Sequence, residues 1–214
     1  MEERKEVSPA LREYVEKEII PRYSSFDPAH REDHARKVIS SSLYLAGFYP
    51  VDMDMVYAAA AFHDTGLVEG RDTHHIASAR IIREDPFLSG FFTREQIETI
   101  AQAAQDHRAS SKNPPGTIYG KIVAEADRDI RPETIIRRTI QYSIGHYPDF
   151  GKAQHWERCH AHLIEKYGDG GYLHLFLPES PNRGNLETLR SIIRDETLLR
   201  SEFDRIWEEL GLGN

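Results

Sequence analysis

Apolar residues in this chain recur at three- and four-residue spacing almost from end to end, and two-residue alternation is nearly absent, so its core has to be built from helices. Ser8 and Pro9 read as the N-cap and first position of a helix that runs to about Ile20 and is stopped by Pro21. A second helix follows Asp27 and Pro28 and carries His34, Val38 and Leu45. The third starts near Asp52, holds Val56 and the alanine run 58–61, and includes His63 and Asp64, with Gly66 as its stop. A fourth passes from about His74 through Ala77 and Ile81, and Thr93 with Gln96 forms a capping box for a fifth that ends near His107. After the Asn-Pro-Pro-Gly loop at 113–116, a helix passes Ile122 and Val123 to Asp127, and Pro132 opens the next. Further helices are expected over about Lys152–Tyr167, 186–194 and 198–210, with 172–176 as a short strand or loop. No repeat or linker interrupts the pattern, which reads as a single all-α domain over residues 1–214.

Several polar side chains fall on the buried stripes of these helices, because residues three and four apart share a face. His34 stands four before Val38 and in register with Leu45, and Asp127 stands four after Val123 and three before Ile130. His107 follows Ile100 and Ala104, His74 shares a face with Ala77, Ser78 and Ile81, and His63 with Asp64 ends the most apolar helix. A buried carboxylate is costly unless it is paired or metal-bound. Neither Lys nor Arg stands on these stripes, and imidazole with carboxylate is a natural donor set for a divalent cation. A single core histidine ordinarily satisfies itself on a carbonyl. Two aspartates and several histidines converging from five helices point to a metal instead.

The composition narrows the setting. A formal charge of −8, with Lys and Arg scattered among acids, is opposite to the basic surplus of duplex binders, so stable binding of a nucleic-acid duplex is not expected. The apolar run around 55–62 is too short to span a bilayer, and the first residues lack the apolar stretch of a secretory signal. The single cysteine, Cys159, excludes an internal disulfide and fits a reducing compartment, so a cytoplasmic location away from the membrane is expected.

The order of the polar residues carries a resemblance. His34, then His63–Asp64 in AAAFHDTGL, then HHIASARII, QDHRAS and finally Asp127 in AEADRDI resemble the HD-domain phosphohydrolase superfamily over about residues 25–145. The resemblance implies an HD-domain-like helical bundle there, with a C-terminal helical extension over about 146–214. It implies a metal held by His34, His63, Asp64 and Asp127, and in some members a second ion bridged by the doublet's aspartate and completed by two histidines, whose places His74 and His107 occupy. His75 either replaces His74 as a ligand or faces a substrate phosphate. The cofactor is then one or two divalent ions, with Mn, Fe, Co, Ni, Mg and Zn all open. A metal-activated water is the implied nucleophile, and Asp64, His74, His75 and His107 are the implied catalytic set. Arg108 and Arg128, beside presumed ligands, are the best placed cations against phosphate charge, ahead of Arg71, Lys112 and Lys121.

The expected activity is hydrolysis of a nucleotide or other small phosphate ester. The alternatives are a di-iron oxygenase with the same helical ligand order, and a module that binds metal or nucleotide without turnover. The short gap from Asp64 to His74 and the basic residues near the motifs favour phosphate. His155, Cys159 and His162 share a helix face, but three residues on one helix rarely close a tetrahedron, and a packed face is the preferred reading. His30, one turn before His34, competes for ligand duty and lacks the following valine. The last helices either cap the site or make a homodimer.

Overall fold

The computed structural model describes residues 6–27, 29–108 and 113–212, and within them every regular element is helical. The chain forms two compact units, 1–128 and 129–214. No described helix is long and apolar enough to cross a membrane.

In the first unit, α1 (Pro9–Tyr14) is capped by Ser8, whose hydroxyl accepts from the Leu11 amide. Pro21 does not stop the chain where the sequence suggests. The segment widens into a π turn over Val15–Ile19 and continues as a 3-10 helix over Ile20–Ser25, with Pro21 in its first turn. Proline has no N–H, and at the start of a helix that donor has no partner to lose. The helical path therefore carries on past Pro21 and buries Tyr23 completely.

Helix α2 (Glu32–Ala46) packs on α3 (Met53–Phe62), and α6 (Ile118–Ala126) packs against both. Helix α3 is the hub: it also touches α5 (Arg94–Asp106), and every residue from Met55 to Phe62 is buried. Its run of alanines keeps its girth small, which lets neighbouring backbones come close on several sides. The Asp52 carboxylate caps its start by accepting from the amides of Asp54 and Met55. The expected capping box of α5 is formed, with Thr93 and Gln96 each accepting from the other's backbone N–H. Helix α4 (His74–Glu84) packs on α5 and on a 3-10 turn, Thr65–Glu69.

The expected third helix is corrected at its end: it closes at Phe62, and His63 and Asp64 lie just beyond it. Gly66 sits inside the 3-10 turn rather than acting as a stop. Its role there is close approach, because a Cβ on Gly66 would come within 2.1 Å of the His74 carbonyl oxygen and 2.4 Å of the Ser78 nitrogen.

The second unit contains α7 (Pro132–His146), α8 (Lys152–Tyr167), α9 (Asn182–Arg194) and α10 (Glu196–Glu209). Ile136, Ile140, Leu163, Leu189, Leu199 and Phe203 form its core. Residues 172–176 are irregular rather than a strand, and the amides of Tyr172 and Leu173 close back on the carbonyls of Glu165 and Lys166.

Candidate metal centre

The residues aimed at one point come from helix ends. His63, His107 and Asp127 are the C-caps of α3, α5 and α6, while His34 lies in the first turn of α2 and His74 opens α4. Three helix C-termini thus present the negative ends of their dipoles, a setting that favours a cation and disfavours added carboxylates. Asp64 and Asp127 are nevertheless there.

Asp64, 3% exposed, divides its two oxygens between two donor sets. Its Oδ2 lies 3.2 Å from His63 Nε2 and 3.5 Å from His34 Nε2. Asp127 Oδ1 joins this side, at 3.2 Å from His34 Nε2 and 3.8 Å from His63 Nε2, and the two imidazole nitrogens are 3.3 Å apart. On the other side, Asp64 Oδ1 lies 3.4 Å from His74 Nε2 and 3.3 Å from His107 Nε2, which are 3.3 Å from each other. Bonds of about 2.1 Å to a central ion place neighbouring donors on the order of 3.0–3.4 Å apart. The second set fits that spacing throughout, and the first is slightly wider at His34–Asp64 (3.5 Å) and His63–Asp127 (3.8 Å). The donor atoms of His34, His63 and Asp127, and those of His63, Asp64 and His107, lie within 4.8 Å of one another, as a shared ion requires.

The imidazoles are oriented by a device repeated three times. Nδ1 of His63, His74 and His107 meets the carbonyl oxygen three residues earlier, on Ala60 (2.8 Å), Arg71 (2.7 Å) and Ala104 (2.5 Å). A carbonyl can only accept, so Nδ1 carries the hydrogen and Nε2 turns its lone pair to the cluster. For His63 and His107 these carbonyls belong to the last turn of a helix, where no backbone N–H is available for them. Helix termination therefore supplies the group that sets the tautomer.

The electrostatics show how strongly the site calls for positive charge. Burial opposes the charge on Asp64, yet the His63 charge and hydrogen bonds with His107, His34 and His63 hold its carboxyl well below the usual range. Burial likewise opposes ionisation of Asp127, but the His34 hydrogen bond and the charges of His63 and His107 bring it down to about 2. For His34 burial opposes protonation, and Asp127 and Asp64 outweigh it, raising the imidazole to about 9. His107 is raised, with burial again outweighed by Asp64. His74 is lowered, chiefly by burial. A divalent cation meets the same demand with one particle in place of several protons.

Residues 31–131 match the HD domain family model. This segment is an HD domain. A solved structure described as a predicted HD superfamily hydrolase, from an uncultured Thermotogales bacterium, is similar at 21% identity and a TM-score of 0.48, covering 72% of this chain and 84% of that one. No curated protein matches the chain. The division of the chain into its two units, after Arg128, falls inside the matched segment.

The remaining sequence candidates that the structure describes are not among these donors. It is His74, not His75, that reaches Asp64; the His75 ring stands edge-on to His74 at 5.6 Å, and its Nδ1 is buried with no hydrogen-bond partner. Arg108 donates from Nη1 to the Asp72 carbonyl at 2.6 Å. Arg128 is 3.6 Å from the fully buried Glu125 carboxylate. Arg71 is exposed and Lys121 half-buried, while Lys112 lies outside the described residues. His30 pairs with the Asp27 carboxylate at 2.9 Å and only edges onto His34, so it stands outside the donor set. In the second unit His155 Nδ1 bonds the Ser143 hydroxyl at 2.7 Å and its ring packs on Trp207. Burial pushes the Cys159 thiol up to about 11, far from a metal-binding thiolate at neutral pH. Three residues of the centre had no reading as functional in the sequence. The Tyr23 hydroxyl accepts from the Asp64 N–H, the Gly66 N–H donates to the Ser78 hydroxyl, and Gly66 lacks the Cβ for which the His74 carbonyl leaves no room. No motif signals that, although Ser78 does share the buried stripe of His74.

Proposed function

We propose that this chain is a metal-dependent phosphohydrolase acting on a nucleotide or other small phosphate ester, with two divalent ions sharing Asp64. The observation that carries the reading is the division of Asp64, whose Oδ2 faces His34 and His63 while Oδ1 faces His74 and His107. In this reading His34, His63, Asp64 and Asp127 hold the first ion, and Asp64, His74 and His107 hold the second. The second set has fewer protein donors, which leaves more room for water and substrate. Bound divalent ions supply Lewis acidity to phosphoryl oxygen and make water acidic enough to act near neutral pH.

The chain's own residues supply the rest. The carbonyl-locked imidazoles keep their lone pairs aimed at the ions without rearrangement during turnover. Arg108 and His75 stand beside the three-donor set and are the donors we assign to substrate phosphate, together with Arg128, which follows Asp127 in the chain. A small phosphate-containing molecule is the partner this chemistry suits, and the buried thiol of Cys159 suits a reducing, cytoplasmic setting.

Elemental analysis of the purified protein, followed by a phosphatase and nucleotidase panel with Mn, Co, Ni, Fe or Mg restored, tests the reading. Close to two equivalents of metal with phosphate release are expected. Iron-dependent oxygen uptake without phosphate release would move the protein to the oxygenases, and metal with no turnover on any substrate would make it a binding module.

A further inference from the structure

Helix α3 ends at Phe62, and the chain leaves helical geometry at Asp64, where φ is −109° and ψ 4°. Such an end strands carbonyls of the last turn, and each stranded group needs a partner when buried. Three consecutive carbonyls are met here by side chains. The oxygen of Ala60 accepts from the His63 ring at 2.8 Å, that of Phe62 from the Thr65 hydroxyl at 2.8 Å, and that of Ala61 from the Tyr23 hydroxyl at 2.8 Å. The same Tyr23 oxygen accepts the Asp64 backbone N–H at 3.3 Å. One hydroxyl therefore spans the break, joining the last helical turn to the first residue beyond it. His63 and Asp64 project from that break. Tyr23 is fully buried, its ring packs edge-on against Phe26, and it lies outside the segment 31–131 that matches the HD domain.

We propose that Tyr23 is a positioning residue for the metal centre, its hydroxyl holding the turn in the shape that aims His63 and Asp64 at the ions. This rests on the metal-centre reading given above. The bland alternative is a core tyrosine whose hydroxyl is satisfied wherever a carbonyl happens to lie. The two differ in what the hydroxyl controls. A purely structural bond changes folding stability alone, whereas a group that orients ligands changes metal affinity, typically by about 10- to 100-fold.

Tyr23→Phe keeps the ring and removes only the hydroxyl. Tyr14→Phe is the matched control in the same unit, since Tyr14 gives its hydroxyl to Asp85 Oδ2 at 2.5 Å and takes no part in the centre. Full-length wild type and both variants are stripped with chelator, checked for helicity by circular dichroism, and titrated with Co2+ by calorimetry and visible absorption. Tyr23→Phe is expected to stay folded, bind Co2+ about 10- to 100-fold more weakly and show altered ligand-field bands, while Tyr14→Phe binds as wild type. Wild-type affinity and spectrum in Tyr23→Phe overturn the inference and leave the metal centre standing. Failure of the wild type to bind Co2+, Mn2+ or Zn2+ overturns both. Equal weakening in the two variants also overturns it, because the loss then reflects general destabilisation.

Discussion

Gly66→Ala is the sharpest test of how the second donor set is built. Gly66 does not adopt a positive φ, so alanine meets no backbone strain there. Without a clash the change would stabilise the protein by about 0.4–1 kcal/mol, by restricting the unfolded chain. The structure demands the opposite sign. The added methyl would lie 2.1 Å from the His74 oxygen, 2.4 Å from the Ser78 nitrogen and 2.8 Å from the Ala77 Cβ, and the first two belong to backbone that cannot rotate away. The start of α4 must shift. Overpacking of this kind costs about 1–3 kcal/mol. Losing the bond from the Gly66 N–H to the Ser78 hydroxyl, now 2.9 Å, adds about 1 kcal/mol. Set against the gain in the unfolded state, the net is a loss of about 1–3.6 kcal/mol, or roughly 2–14 °C in Tm for a protein of this size. The shift also carries His74 away from Asp64 while leaving α2, α3 and α6 in place. Calorimetry should therefore show the lower Tm, and elemental analysis should show about one metal equivalent instead of two. A variant that melts at or above the wild-type temperature and still holds two ions would refute the reasoning.

Other outcomes follow from the same geometry. Asp64→Ala should remove both metal retention and phosphate release with helicity largely intact, and wild-type turnover would sink the site assignment. His74→Ala should keep one ion, because the four-donor set does not use α4; loss of both ions by elemental analysis would contradict the division of Asp64. His155→Ala should leave phosphate release unchanged yet cost about 1–3 kcal/mol in urea unfolding through its lost packing and its bond to Ser143, and an activity loss at unchanged stability would revive a second metal site around it. The His34 imidazole rises from 6.5 to about 9 in the fold, so in chelator-stripped protein its contribution to stability is complete below about pH 6.5 and lost as pH rises through about 9. Melts of stripped wild type and His34→Gln should converge across that window, and a constant gap between them would count against the paired imidazole.

Much of this centre was legible before any coordinates. The helices follow from apolar spacing, because one buried face per helix imposes a period that survives in the sequence, and His34, His63, Asp64, His74, His107 and Asp127 stood out as polar residues on those faces. Local chemistry also placed the caps at Ser8 and Thr93, whose hydrogen bonds close within a few residues, and the start of a helix near Asp52. Other features have no local cause. Pro21 reads as a stop, but a π turn before it lets the helical path continue, and only that path brings Tyr23 to Asp64, 41 residues away. The choice of His74 over His75 turns on which side of α4 faces Asp64 at the helix start, where periodicity is weakest. Gly66 reads as a helix stop, whereas its smallness serves the backbone of α4. Arg108 and Arg128 read as cations facing substrate phosphate, and the fold gives one a carbonyl and the other a buried carboxylate. Residue type and period are local and were determined by the sequence alone. The sharing of Asp64 between two donor sets depends on helix ends distant along the chain, and tertiary packing decides where those ends meet.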